Sequence, residues 1–521
     1  METKTEKSSD PTTQQDSKHL PDDIQVGEVE NYTEEEERAV RRKIDLHLMP
    51  LLMITYLIQF LDKSCISYSA LWGMRQDVGL YGSQYSWLTT IFYIGYLVAE
   101  FPLNYLFQRF HITRVCGVII GLWGTVLLCM AAADDFASLM TTRFLLGALE
   151  AGVSPCFVLL TSMFYKRSEQ PLRTSLWFSM NGAAQILGGP IAYAIGHITR
   201  ALLPAWKFPF LIFGALTVTW SLVFTLLAAP NPASASRFLT PRERRIAVAR
   251  LVVAANTDGG QLDTRVFRPH QALEAARDVK SWLLVAFTVA SNVPNGGVVA
   301  FGPLIVEGFG FDKLGTTLLG MPSGGVQIVA LLVSGWLAGR YTTTTTKSRS
   351  GGAGGGARIA LMLGGIGVAL AGTVMMYAIP EGGEGGKSKY GRLIGYYLLP
   401  GFSATYVLSL GLIQANVAGR TKKGVVTAGL FVAYCVGNVV GPQLFFAEEA
   451  PRYRSGFVAM IVCFAVQAGV LGAYWVVCRR ENARRDRVHG LPYGGDASGE
   501  SIEQGLSDLT DMENPHFRYA L

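Results

Sequence analysis

Apolar residues in this chain gather into long runs separated by short polar breaks. The runs fall at roughly residues 48–72, 84–107, 115–133, 136–165, 172–198 and 207–229. After a polar stretch from about 230 to 280 they resume at roughly 281–306, 315–338, 357–379, 391–415, 424–447 and 456–478. About 20 apolar residues in a helix cross the ~30 Å hydrocarbon layer of a bilayer, so each run predicts one crossing. The pattern therefore predicts an all-α membrane protein of about twelve transmembrane helices in two six-helix bundles. The expected units are a cytosolic tail with a short amphipathic helix at 1–47, a bundle at 48–229, a cytosolic loop with surface helices at 230–280, a second bundle at 281–478 and a cytosolic tail at 479–521.

The polar stretches carry their own local signals. Residues up to about 31 have a disordered composition. Thr33-Glu-Glu-Glu36 then spells a capping box, with i, i+4 pairs expected between Glu34 and Arg38 and between Glu37 and Arg41. Thr240-Pro241-Arg242-Glu243 reads as a second helix start. Thr342 to Thr346, Gly351 to Gly356 and Gly382 to Gly386 read as flexible linkers, because no strand and no nucleotide-binding spacing accompanies the glycines.

Composition narrows the class. Half the residues are hydrophobic and only 16% are charged, too apolar for an ordinary soluble enzyme. The net charge of +6 does not point to nucleic acid, since the basic residues sit in short clusters between apolar runs. Those clusters, such as Arg109 with Arg114, Arg340 with Arg349 and Arg479 through Arg487, occupy alternate connections and place both termini in the cytosol. The expected location is the plasma membrane, with an intracellular membrane also compatible, and the expected state is a monomer. No apolar core precedes about residue 48, so the first crossing is expected to act as the insertion signal. The sequon at Asn31 falls on the cytosolic side and should stay unmodified. The seven cysteines show no metal or disulfide spacing, and no nucleophile constellation or cofactor motif stands out. Neither an enzyme nor a cofactor is expected.

Charges inside the apolar runs mark the candidate chemistry, because a charge at membrane depth persists only when paired or facing a watery cavity. Arg143, Gly147 and Glu150 stand at i, i+4 and i+7 and share one helix face. Asp62 and Lys63 are adjacent and point about 100° apart. Lys63, with Gln59 and Tyr56 near its face, is the cavity candidate, and Asp62 is the partner for another helix. Glu100, near a helix end, is expected to pair with a loop arginine. The second half offers amides instead of charges, with Asn292, Asn295, Gln414 and Asn416 as candidate substrate ligands. Asn292 and Asn295 flank Pro294 and precede Gly296-Gly297, where irregular backbone is expected. Apolar surroundings favour a neutral acid and a nearby arginine favours a charged one, so Glu150 is expected to exchange its proton when substrate claims Arg143. Glu150, with Asp62, is the candidate for proton coupling.

Several motifs resemble a known family. Asn104-x-x-x-Gln108-Arg109 and Gly335-x-x-x-Gly339-Arg340 lie at equivalent places in the two halves and resemble the loop motif of the major facilitator superfamily, without its acid. The resemblance implies that Arg109 and Arg340 belong to cytosolic gating loops. Phe60-Leu-Asp-Lys-Ser64, Glu100-Phe-Pro-Leu-Asn104, Arg143 to Gly152 and Gly437 to Phe445 are similar to the anion:cation symporter family, and to its fungal allantoate permease-like branch in particular. Where that branch has arginine and asparagine after Leu-Asp, this chain has Lys63 and Cys65. The resemblance implies a secondary active transporter that imports a small organic anion with protons by alternating access. An efflux carrier, which the glycines from Gly182 to Pro190 favour, and a transport-like nutrient receptor are the alternatives.

Overall fold

Helix α1 (Glu34–Leu71) begins where the sequence signals it: Thr33 and Glu36 form the reciprocal capping box, worth about 1 kcal/mol. It then runs for 38 residues through Pro50 without a break. The short surface helix expected before residue 48 is thus continuous with the first crossing. Glu34 pairs with Arg38 as predicted, but Glu37 takes Lys166 and Arg41 takes Glu169 instead of each other. The tertiary partners win because an exposed i, i+4 pair is worth only about 0.3–0.5 kcal/mol.

The computed structural model describes residues 32–166, 169–198, 202–257, 267–347, 357–380, 387–489, 509–515 and 517–520. The first half continues with α2 (Met74–Asp77), α3 (Gln84–Arg109), α4 (Ile112–Met130), α5 (Phe136–Glu150), α6 (Val153–Phe164), α7 (Gln170–Phe178), α8 (Met180–Gly196) and α9 (Phe208–Leu227). Two surface helices follow, α10 (Pro241–Thr257) and α11 (Pro269–Arg277). The second half comprises α12 (Val279–Glu307), α13 (Lys313–Leu319), α14 (Met321–Lys347), α15 (Ala357–Ala378), α16 (Lys387–Leu398), α17 (Gly401–Asn416), α18 (Arg420–Gln443) and α19 (Arg454–His489).

Among the described residues, ten helical stretches are long and apolar enough to cross a membrane, counting α5–α6, α13–α14 and α16–α17 as single stretches. The other two expected crossings, α3 and the α7–α8 pair, complete six rods in each half but fall short of that apolarity. Both lie where the halves meet: α3 packs on α18, and α8 on α13 and α14. Thr90 of α3 accepts from Gln443 of α18 there, and Gln185 of α8 donates to Gln327 of α14.

Several linker and tail expectations change. Thr342–Thr346 continues α14 to Lys347; threonine lowers helix propensity by only a few tenths of a kcal/mol and no Gly or Pro interrupts the run. The glycine runs at 351–356 and 382–386, the tail before residue 32 and Asn31 of the sequon lie outside the described residues. Helix α19 extends to His489, beyond the expected end at 478. Residues 509–515 and 517–520 fold back onto the second half: Lys422 Nζ lies 2.6 Å from Asp511, 2.8 Å from Glu274 and 2.9 Å from Asp278. Lys280 donates to Asp511 at 3.0 Å and to the Tyr519 hydroxyl. Arg485 donates to the carbonyls of Asp511, Asn514 and Phe517.

The first half has a matching cluster at the same end. Lys43 reaches Glu243 at 2.6 Å, Arg242 reaches Glu36 at 2.8 Å and the buried Arg250 reaches Glu169 at 2.8 Å. Thus α10 rides on the first half and α11, with the C-terminal segment, on the second. The start of α1, the surface helices α10 and α11 and the described C-terminal segment mark one face of the molecule, called the terminal face below.

Candidate functional site

Glycines of α3 and α5 assemble the charged centre. A Cβ on Gly147 would lie 1.9 Å from the Phe92 carbonyl oxygen, and one on Gly95 would lie 2.2 Å from that of Phe144. No other residue allows these backbones so close, and the approach sets Phe92 and Tyr96 beside the Arg143–Glu150 face of α5. Helix α5 stops at Glu150, and α6 restarts at Val153.

Lys63 comes in from α1. Its ammonium lies 3.5 Å from Glu150 Oε2, and both side chains are shielded, Glu150 completely. The same ammonium sits 5.6 Å from the centre of the Phe92 ring and 5.5 Å from that of Tyr96, within cation–π reach. Gln59 Nε2 donates to the Glu150 carbonyl at 3.4 Å. The ion pair is therefore Lys63–Glu150. Arg143 and Glu150 make none, because seven residues of helix separate them by about 10.5 Å of rise. Arg143 is buried, and its Nε and Nη2 have no hydrogen-bond partner.

Arg143 and Lys63 line a small cavity with Ile66, Thr89, Phe92 and Tyr93 from the first half and Val299 and Ala300 from the second. Its volume is about 10 Å³, near the minimum for one water, so an organic substrate needs the two halves to part. The Thr89 hydroxyl is buried without a partner as well. Asp62 faces away, accepting from Thr217 of α9 at 3.0 Å, in keeping with a helix-to-helix partner; its Oδ1 has no partner.

The second-half candidates divide. Asn292 and Asn295 both meet Asn438: Asn438 Nδ2 donates to Asn292 at 3.3 Å, and Asn295 donates to Asn438 at 2.9 Å. Both are thus engaged by Asn438, and neither lines the cavity. Helix α12 is regular through Pro294 and both glycines, contrary to the irregular backbone expected. The glycines serve contact: a Cβ on Gly296 would be 2.9 Å from the Asn438 carbonyl oxygen, and one on Gly441 would be 2.3 Å from that of Val293. Asn416 is not at the cavity. At the end of α17 it donates to the Ala520 carbonyl at 2.9 Å and accepts from the Ala520 amide at 2.7 Å. Its helix-end position, where backbone and side chain meet the terminal face, explains the difference. The side chains of Gln414 and Arg340 lie outside the described residues, and Arg109 is exposed at the end of α3. Glu100 is buried and accepts from Asn104 at 3.1 Å instead of from an arginine.

Thr89, Phe92, Tyr93 and Tyr96 join the site without standing out in the sequence, where the three aromatics look like packing residues and Thr89 carries no charge to mark it. Their i, i+3, i+4, i+7 spacing was the available signal, since it puts all four on one face of α3.

A family model described as Major Facilitator Superfamily matches residues 52–442. An uncharacterized transporter of Schizosaccharomyces pombe is 38% identical over 488 residues, covering 94% of this chain and 87% of that protein. The allantoate permease of Saccharomyces cerevisiae is 37% identical over 494 residues, with coverage of 94% and 87%. A crystal structure of a bacterial homolog of the human lysosomal transporter Spinster superposes with a TM-score of 0.57 at 16% identity, covering 86% of this chain and 98% of the other, a likeness of fold alone.

Proposed function

The chain belongs to the major facilitator superfamily and is a multi-pass membrane transporter, and from that premise we propose that it imports a small organic anion together with protons by alternating access. The cargo class is a carboxylate of the vitamin or nitrogen-source kind; similarity to an allantoate permease supports it. We place the protein in the plasma membrane with the terminal face cytosolic.

One observation carries this reading: two cations, Lys63 and Arg143, line a cavity between the halves while only Lys63 has an acid partner. A buried cation without a counter-charge is destabilising by several kcal/mol. A carboxylate entering the cavity offsets that penalty by accepting from the free donors of Arg143. It also competes with Glu150 for Lys63, and a carboxylate losing its cation in an apolar setting takes up a proton. Substrate and proton then cross together, because each alters the affinity for the other.

The test is uptake of labelled small carboxylates, allantoate first, into vesicles holding the purified protein. Accumulation driven by an acidic exterior, and abolished by a protonophore, is the expected result. Binding without accumulation would make the protein a receptor, and accumulation that is indifferent to the pH gradient would remove the proton from the mechanism.

A further inference from the structure

The terminal end of α19 holds a groove of about 770 Å³ that the transport reading leaves unused. Four arginines form its rim, Arg479, Arg480, Arg484 and Arg487, all exposed, and no acid lines it among the described residues. Its floor is Ala483, a methyl group where a longer side chain would fill the depression. Of the nearby acids, Glu481 pairs with the rim's own Arg484 and with Arg485 at 2.8 Å each, and Asp486 is held by Arg518 at 2.8 Å, which leaves Arg479, Arg480 and Arg487 as the rim arginines without an acid partner among the described residues.

The groove is amphipathic along the helix. At its membrane end are Trp475 and Val476, and the Arg479 guanidinium stacks 4.9 Å from the Trp475 ring. Further down, Val462 and Val466 are exposed, and nothing lies within 4 Å of where a Gly469 Cβ would stand. Residues 462, 466, 469, 473, 476, 480, 483 and 487 follow helical spacing, so one continuous stripe leads from apolar surface into the arginine rim. The other side of the same helix carries Asn482 and Arg485, which hold the C-terminal segment.

We propose that this groove binds the phosphate headgroup of an anionic phospholipid, whose acyl chain lies along the apolar stripe of α19. A soluble phosphate would satisfy the arginines but would make no use of Trp475, Val476 or the stripe below them. Juxtamembrane arginine clusters attract anionic headgroups with about 1 kcal/mol per residue, roughly 5-fold in retention for each arginine. The inference does not depend on which substrate is carried or on proton coupling.

The experiment places the full chain in phosphatidylcholine nanodiscs doped with phosphatidylinositol and counts the lipids that stay bound in detergent by native mass spectrometry. Phosphatidylinositol should be retained over phosphatidylcholine. Arg480→Gln with Arg487→Gln should cut its retention about 25-fold, two steps of the factor above. Ala483→Leu, which keeps every charge but fills the floor, should also lower retention, whereas Arg237→Gln, at an exposed arginine away from the groove, should not. Equal retention of the two lipids, or unchanged retention in both groove variants, would overturn the proposal. So would competition by glycerophosphoinositol as strong as that by the intact lipid, which would identify a soluble anion.

Discussion

Lys63 reaches Glu150 from a different helix, and that contact changes what each charged residue is free to do. Arg143, left without a carboxylate, is the group with donors to offer an anion. Arg143→Lys keeps the charge but loses the planar fork; uptake should fall at least 10-fold, measured as initial rate in vesicles, and a rate like the parent's would move the anion site to Lys63. Glu150→Gln imitates the protonated acid at nearly constant volume. Accumulation driven by a pH gradient should disappear in this variant, while exchange of labelled for unlabelled substrate across the membrane persists, because the amide never has to release a proton. Gradient-driven accumulation in the Gln variant would shift the coupling role to Asp62, the buried acid of α1. Much of this centre was legible one helix at a time: spacing put Arg143, Gly147 and Glu150 on one face. The pairing was not, because it depends on how far α1 and α5 are offset, and no periodicity within either helix encodes that.

Helix starts and the positions of crossings were written locally, in capping boxes such as Thr33 with Glu36 and Thr240 with Glu243. The docked C-terminal segment was not, since Lys280 and Asp511 stand 231 residues apart and a short acidic-aromatic stretch has no period to read. Burial disfavours a charged Asp511, but the ammonium groups of Lys280 and Lys422 outweigh it and hold the carboxyl below its ordinary range. A depressed acid stabilises the docked form above its unfolded pKa of about 3.9 and loses that contribution only as pH falls through the lower, folded value. The segment should therefore stay docked across pH 5–8 and loosen only in strong acid, which hydrogen exchange over residues 509–520 can follow. Asp511→Asn removes the charge at every pH and should weaken docking by about 1.5–3 kcal/mol, the range for hydrogen bonds to charged groups. Unchanged protection in that variant would mean that Arg485, through its bonds to three carbonyls, holds the segment without help from the ion cluster.

Contacts between the two halves are distributed unevenly across the molecule, and the unevenness identifies the moving parts. Toward the face opposite the termini, Tyr85 donates to the Ala300 carbonyl at 2.7 Å and Gln443 donates to Thr90 at 2.9 Å, and nearer mid-span Gln185 donates to Gln327 at 2.6 Å. Glycines tighten the same seam: a Cβ on Gly182 would lie 2.6 Å from the Gly324 carbonyl oxygen, and one on Gly189 would lie 2.6 Å from that of Thr317. The glycine run from Gly182 to Pro190 thus has a packing role between α8 and the α13–α14 rod. At the terminal face, the described ion clusters tie α10 to the first half and α11 to the second, each within its own half. A rocking motion can then part the seam while both clusters stay intact. Gly189→Ala places a methyl group against backbone that cannot yield as a flexible side chain would, and so should disfavour the sealed arrangement without touching the charged centre. With a cysteine at Thr89, on the cavity wall, a membrane-impermeant thiol reagent applied to the face opposite the termini should label that position several-fold faster in the Gly189→Ala background than in its absence. If the rates match, the glycine seam does not hold that face closed, and the hydrogen bonds of Tyr85, Thr90 and Gln443 are the next contacts to remove.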